Sequence, residues 1–224
     1  NKLNKKGIYL GMNFGLRPVS RINYKILNAR RTDVDSLGSL YKGDGGLTDA
    51  IFGVGLKIKN LSIGFNGAYR FGNKNYDTSF SVLNDTVFHY PSTIDNKSNF
   101  HGLAYTLGVQ YDIKVKKKGI LRLGAYTNLK STLKGTQDYT IQTVQYDAEG
   151  AVYRVDSVYT KKGSGNVIYP SGWGAGFTYQ DSVGHWMFGA DYEKTNWNEY
   201  RFFGAPDMLK DSWKVRAGIE YLPA

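Results

Sequence analysis

The sequence predicts an all-β protein, an antiparallel transmembrane β-barrel. Three observations lead there. Apolar residues alternate at period two with small or charged ones along many short stretches. Aromatic residues reach 15%, with Tyr 18 and Phe 11, which favours strands. The connections between stretches alternate short and long, as in outer-membrane barrels. No helical 3.6 period competes over a comparable length.

The stretches run in order. "IYLGMNFGL" sets Leu10, Met12, Phe14 and Leu16 against Gly11, Asn13 and Gly15. "RINYKI" sets Ile22, Tyr24 and Ile26 against Arg21, Asn23 and Lys25. "IFGVGLKI" sets Phe52, Val54, Leu56 and Ile58 against Gly53, Gly55 and Lys57. "LSIGFNGAYRF" and "GLAYTLGVQYDI" repeat the pattern through Phe71 and Ile113. "ILRLGAYTNL" is less clean, because Ile120 and Tyr126 break the alternation. "GWGAGFTY", "WMFGADYEK" and the closing "SWKVRAGIEY" complete a set of about nine strands of roughly ten residues, the length a tilted barrel strand needs to cross a bilayer.

Tight connections are expected near 17–20, 59–60, 115–119 and 181–184. Long extracellular loops are expected near 29–48, 72–98, 131–170 and 196–211. The third loop holds its own hairpin, "DYTIQTVQYD" against "AVYRVDSVYT", turning at 148–150. All of residues 1–224 are read as one barrel unit.

A lipocalin-like barrel alternates in the same way with its apolar face inside. Three features favour lipid outside. The polar face is rich in Gly, which a water-facing strand would avoid. Trp173, Tyr179, Trp186, Tyr192, Trp213 and Tyr221 gather near strand ends, as an interfacial girdle requires. The loops are asymmetric. On this reading Lys214, Arg216 and Glu220 point into a lumen.

Net charge is +10, yet the one tight basic run, Lys116, Lys117 and Lys118, falls in an expected turn. The charge therefore suits phosphate-rich lipid headgroups, including lipopolysaccharide, and not nucleic acid. The chain has no cysteine and no long apolar run, and it opens without an apolar leader, as a trimmed chain would. Nine alternating strands cannot close antiparallel, so the chain is expected to be part of a larger barrel.

"GMNFGLRPVSRINYKI", "YKGDGGLTDAIFGVGLKIKNLSIGFNGAYRFG" and "WMFGADYEKTNWNEYRFFGAPDMLKDSWKVRAGIEYLP" together resemble the long-chain fatty acid transporter (FadL-type) family of outer-membrane proteins, in its Bacteroidetes-like branch. Pro18, Ser20 and Tyr24, then Gly45, Gly46 and Leu47, then residues 60–69, then residues 189–192 with Trp197 and Tyr200, carry the resemblance. It implies a central portion of a fourteen-stranded barrel that takes up long-chain fatty acids or other hydrophobic small molecules across the bacterial outer membrane. The missing segments include the hatch that plugs the lumen. Lumen cations that could hold a carboxylate are Arg70, Arg122, Lys214 and Arg216. The plainer reading of each is a salt bridge with Asp112, Asp191, Glu193 or Glu220.

Other chemistry is weakly signalled. "GDGGL" precedes a strand, so it reads as a turn and not a phosphate cradle. Asp33, Asp35 and Asp44 lack calcium-ligand spacing. His89, His101 and His185 are scattered, and no Gly-x-Ser-x-Gly elbow occurs. The expectation is no enzyme, no cofactor and no metal. The alternative to transport is an outer-membrane interaction protein of a secretion machinery, similar to the type nine shuttle relatives of the family, with surface or secretion partners docking on loops such as 131–170. A soluble lipid-binding β-barrel is the further alternative.

Overall fold

The computed structural model describes residues 2–4, 7–31, 33, 35–83, 89–115, 119–149 and 152–223. The basic run Lys116–Lys118 lies outside them. The strands are β1 (Lys2–Asn4), β2 (Ile8–Arg31), β3 (Ser36–Ile58), β4 (Leu61–Val82), β5 (Ser92–Val115), β6 (Gly119–Asn128), β7 (Ser131–Tyr146), β8 (Val152–Tyr169), β9 (Gly172–Asp181), β10 (Trp186–Thr195), β11 (Arg201–Phe202), β12 (Ala205–Pro206) and β13 (Ser212–Tyr221). They form a single 13-stranded sheet with the path β1-β2-β3-β4-β5-β6-β9-β10-β13. A 3-10 turn at Trp197–Glu199 is the helical element among the described residues.

The strands are fewer and longer than the sequence suggested. "IYLGMNFGL" and "RINYKI" are one strand of 24 residues. The expected turn at 17–20 is a β-bulge, where the register with β3 slips between Pro18 and Ser20. Most of the segments expected as long loops are strand as well. β2 and β3 pair up to Arg31↔Ser36, β4 and β5 up to Phe80↔Ser92, and β7 and β8 up to Tyr146↔Val152. The "GDGGL" stretch is mid-strand and not a turn. Gly45 and Gly46 bend β3 at φ +125° and +152°, and a Cβ on Gly46 would collide with the Ser20 carbonyl.

β6 continues into β7 across Leu129 and Lys130, and β8 into β9 across Pro170 and Ser171. The chain thus makes eight courses, each antiparallel to the next. The odd count came from cutting β2 in two.

Two zones follow. The belt is the lower one, where all eight courses run side by side over about ten residues each, as β6, β9, β10 and β13 do in full. Turns at Lys59–Asn60 and after Asp181 close it below. In the second turn the Asp181 carboxylate accepts hydrogen bonds from the Gly184 and Trp186 amides at 2.6 and 3.2 Å. The extension is the upper zone, where only β2 to β5, β7 and β8 continue.

The apolar side changes between them. In the belt Met12, Phe14, Phe52, Ile63, Leu107, Phe177 and Ile219 share the outward face and stay exposed, Phe14 by 92%. In the extension the apolar side chains turn inward. Phe100, Leu133 and Val167 form a buried cluster with Leu47, Tyr200, Phe202 and Phe203 packed on it. The last three belong to residues 197–206, which leave β10, fold over the inner face and pair with β8 through Arg201↔Ile168 and Phe202↔Val167.

Candidate functional site

The belt curls round a cavity of about 1010 Å³ lined by residues of all eight courses. Nine of the lining residues are glycine, including Gly11, Gly55, Gly64 and Gly108, which are successive cross-strand partners. Larger side chains at these positions would fill the hollow of the sheet, and the glycine row leaves space instead. Tyr126, which broke the sequence pattern, turns inward and covers Gly174. A second cavity of about 350 Å³ lies above, between Arg17, Arg70, Tyr169, Trp197 and Lys214.

The inner wall carries most of the belt's charges, and several of them are paired across strands. Arg70 donates to Asp49 through Nε at 2.7 Å and Nη2 at 3.0 Å. Arg17 reaches the same carboxylate at 3.1 Å. Asp49 is fully buried, and the Arg70 guanidinium lies 4.4 Å over the Tyr169 ring. Lower down, Lys57 and Arg122 both contact Asp112 at 2.6 Å. Arg216 bridges Asp191 and Glu193, each at 2.9 Å.

The four cations named from sequence are therefore divided between the two cavities. Arg122 and Arg216 line the lower cavity, while Arg70 and Lys214 line the upper one. Three of them sit in salt bridges. Lys214 makes no ion pair among the described residues. Asp49 was missed as a partner, although its phase in "TDAIFGVGLKI" already put it on the polar face. Its importance comes from register: Arg17↔Asp49 and Asp49↔Arg70 are directly opposed, and a sequence does not reveal which residues oppose one another across long strands. Among the described residues no group of three metal-ligating side chains gathers.

Above the belt the row continues from Arg70 through Gly102, Leu133 and Val167 to Phe202 by cross-strand partners. Phe202 meets Phe100 edge-on at 6.1 Å, and Lys74 lies 4.2 Å over the Phe202 ring. Burial holds the Lys74 ammonium below its usual range, and Asp207 opposes that shift. Trp197 donates to the Ser212 hydroxyl at 3.1 Å, which ties the crossing segment to the start of β13. Beyond the second cavity, the chain itself thus occupies the inner side of the extension.

A family model, BamG, matches residues 5–224. The chain belongs to the BamG family. This corrects the resemblance to FadL-type transporters, and the fatty acid uptake and fourteen-stranded architecture inferred from it fall too. The resemblance rested on short Gly-aromatic motifs, which any barrel with small inward and aromatic outward positions repeats. BamG membership makes the chain an outer-membrane-associated protein. No curated protein and no solved structure matches it.

Proposed function

We propose that this BamG-family chain is an interaction subunit of the machinery that assembles outer-membrane proteins. The belt sits in the bilayer as an eight-course barrel, and the extension stands outside it as a protein-binding structure. The observation that carries the reading is the belt itself: ten-residue courses, an exposed apolar outer face and charges kept inside. A surface that apolar marks a lipid or protein contact, and ten residues is the span of a membrane strand. The even number of courses lets β2 and β13 close antiparallel, which lipid requires, since open edges do not persist in hydrocarbon. Short turns face the periplasm in such barrels, so the extension points outward. The sequence alternative of an outer-membrane interaction protein is nearer to this than the transporter reading. Its assignment to a type nine shuttle gives way to the assembly machinery that the family suggests.

Depletion of the protein tests this. Folded, heat-modifiable barrels of other outer-membrane proteins are expected to fall in the outer-membrane fraction, and the protein is expected to co-purify with the assembly machinery. Unchanged levels of those barrels after full depletion would overturn the reading.

A further inference from the structure

The β13 strand has 10 residues and β2 has 24. Closing the belt with so short a strand therefore leaves more than half of β2 without a lateral neighbour. β1 covers only Ile8 and Tyr9. Residues 196–211, which could have prolonged β13 upward, leave the wall instead: 197–206 fold over the inner face and 207–211 are exposed. Among the described residues nothing pairs with β2 beyond the bulge except β3.

We propose that this free edge, residues 20–31, adds an extended acidic segment of a partner protein as one more strand. Its sequence, "SRINYKILNARR", holds Arg21, Lys25, Arg30 and Arg31 and no acidic residue. Basic side chains on an edge can merely guard it against aggregation. Here, though, apolar groups are exposed on both faces of the same strand, Ile26 by 55% and Leu27 by 75%, which a guarded edge avoids. Backbone donors and acceptors, two apolar contacts and four cations together fit strand addition. The opposite lateral edge of the extension, β8, carries Arg154, Lys161 and Lys162 against Asp156. Both edges are basic, so β2 repels β8, whether of the same chain or of a second copy. The partner chemistry is thus acidic residues on alternate positions, with apolar ones between them.

The inference rests on the interaction-subunit reading. The chain lacks cysteine, so single cysteines can be placed at each position from 21 to 29, labelled with benzophenone maleimide and irradiated in intact outer membranes. Adducts with period-two intensity, mapped to an acidic extended segment of an assembly-machinery protein, are the expected result. The triple variant Arg21→Glu/Lys25→Glu/Arg30→Glu should cut adduct yield at least tenfold while the boiled and unboiled gel mobilities stay as in the parent. The matching variant Arg154→Glu/Lys161→Glu/Lys162→Glu should leave the yield unchanged. Adducts only to a second copy, only to lipopolysaccharide, or to nothing would overturn the edge proposal alone if the machinery still co-purifies. Loss of co-purification from parent membranes would overturn the proposed function with it.

Discussion

The belt and the extension are one sheet with opposite insides. In the belt the oily residues look out and the charged ones look in. In the extension most oily residues look in and most polar ones look out, with Leu27 at the β2 edge an exception. The chain makes this exchange by two routes. β4 and β5 keep an even pleat and change the phase of the sequence. The apolar positions of β4 are odd up to Phe71 and even from Tyr76, and β5 switches between Phe100 and Leu103. β2 keeps the phase of the sequence and shifts the backbone: even positions are apolar on both sides of the bulge, which turns them over. The breaks at Leu129–Lys130 and Pro170–Ser171 do the same for the β6–β7 and β8–β9 courses. Alternation has period two, so a one-residue slip is enough to exchange faces.

The largest expected effect comes from the boundary between the zones. Asp49→Ala leaves the buried Arg70 without its carboxylate, and breaking such a pair costs about 3–5 kcal/mol. Urea unfolding in detergent, followed by heat-modifiability, should show the loss; Arg17 loses the same partner, but at 60% side-chain exposure it stays solvated and adds little to the cost.

Next comes a direct comparison of the two outer faces. Leu107→Arg, on the outer face of the belt, should cost about 2–4 kcal/mol in lipid. Asn99→Arg, exposed in the extension, should stay within about 0.5 kcal/mol. Equal effects in refolding titrations into vesicles would break the contrast.

A smaller loss is expected from Phe203→Ala. Its ring lies against Gly135 and Gly165 and is half-buried, so about 1–2 kcal/mol is at stake. Limited proteolysis should cut residues 196–211 sooner, while the belt's gel mobility stays unchanged.

The smallest effect is one of pH, confined to the extension. Asp77 and Asp95 are cross-strand partners, and one Asp77 oxygen is buried without a hydrogen bond. Burial first, and the Asp77 charge second, push the Asp95 carboxyl above its usual 3.8. Its protonated form is favoured in the folded state. That stabilisation is complete below 3.8 and is lost as pH rises through the folded value. Amide exchange around the tips of β4 and β5 should therefore quicken on raising pH across that window, beyond its intrinsic pH dependence. Asp77→Asn should flatten the change.

Much of the belt was legible in the sequence, because a strand with one apolar face and one face of small or charged residues has a strict two-letter pattern. Phe52 to Ile58 and Trp213 to Tyr221 lie where that pattern puts them. The extension was misread for a physical reason as well. Its strands are polar on the outer face and carry Gly45, Gly46, Gly163 and Gly165, so "SLYKGDGGL" and "KKGSGNV" look like loops until their neighbours are known. The bulge was hidden because Pro18 looked like a turn residue, when a proline at a strand irregularity loses no ladder bond that matters. Of the candidate site, the inward cations were visible from phase alone. Their pairing was not, since it depends on register between residues up to 55 apart, as for Lys57 and Asp112.

The crossing segment sets an order of events. Phe100, Leu133, Val167 and Phe202 meet in one cluster, yet they span about half of the chain. Loop-closure entropy must be met before such distant contacts give any return. The hairpin of β2 and β3 can zip from its own turn. The inward oil of the upper strands has no cover until residues 197–206 have been delivered. A chain arriving from its N-terminal end therefore holds that surface bare through most of its passage and seals it among the last steps. Its maturation rate should follow the arrival of that late segment and not the pairing of its early strands.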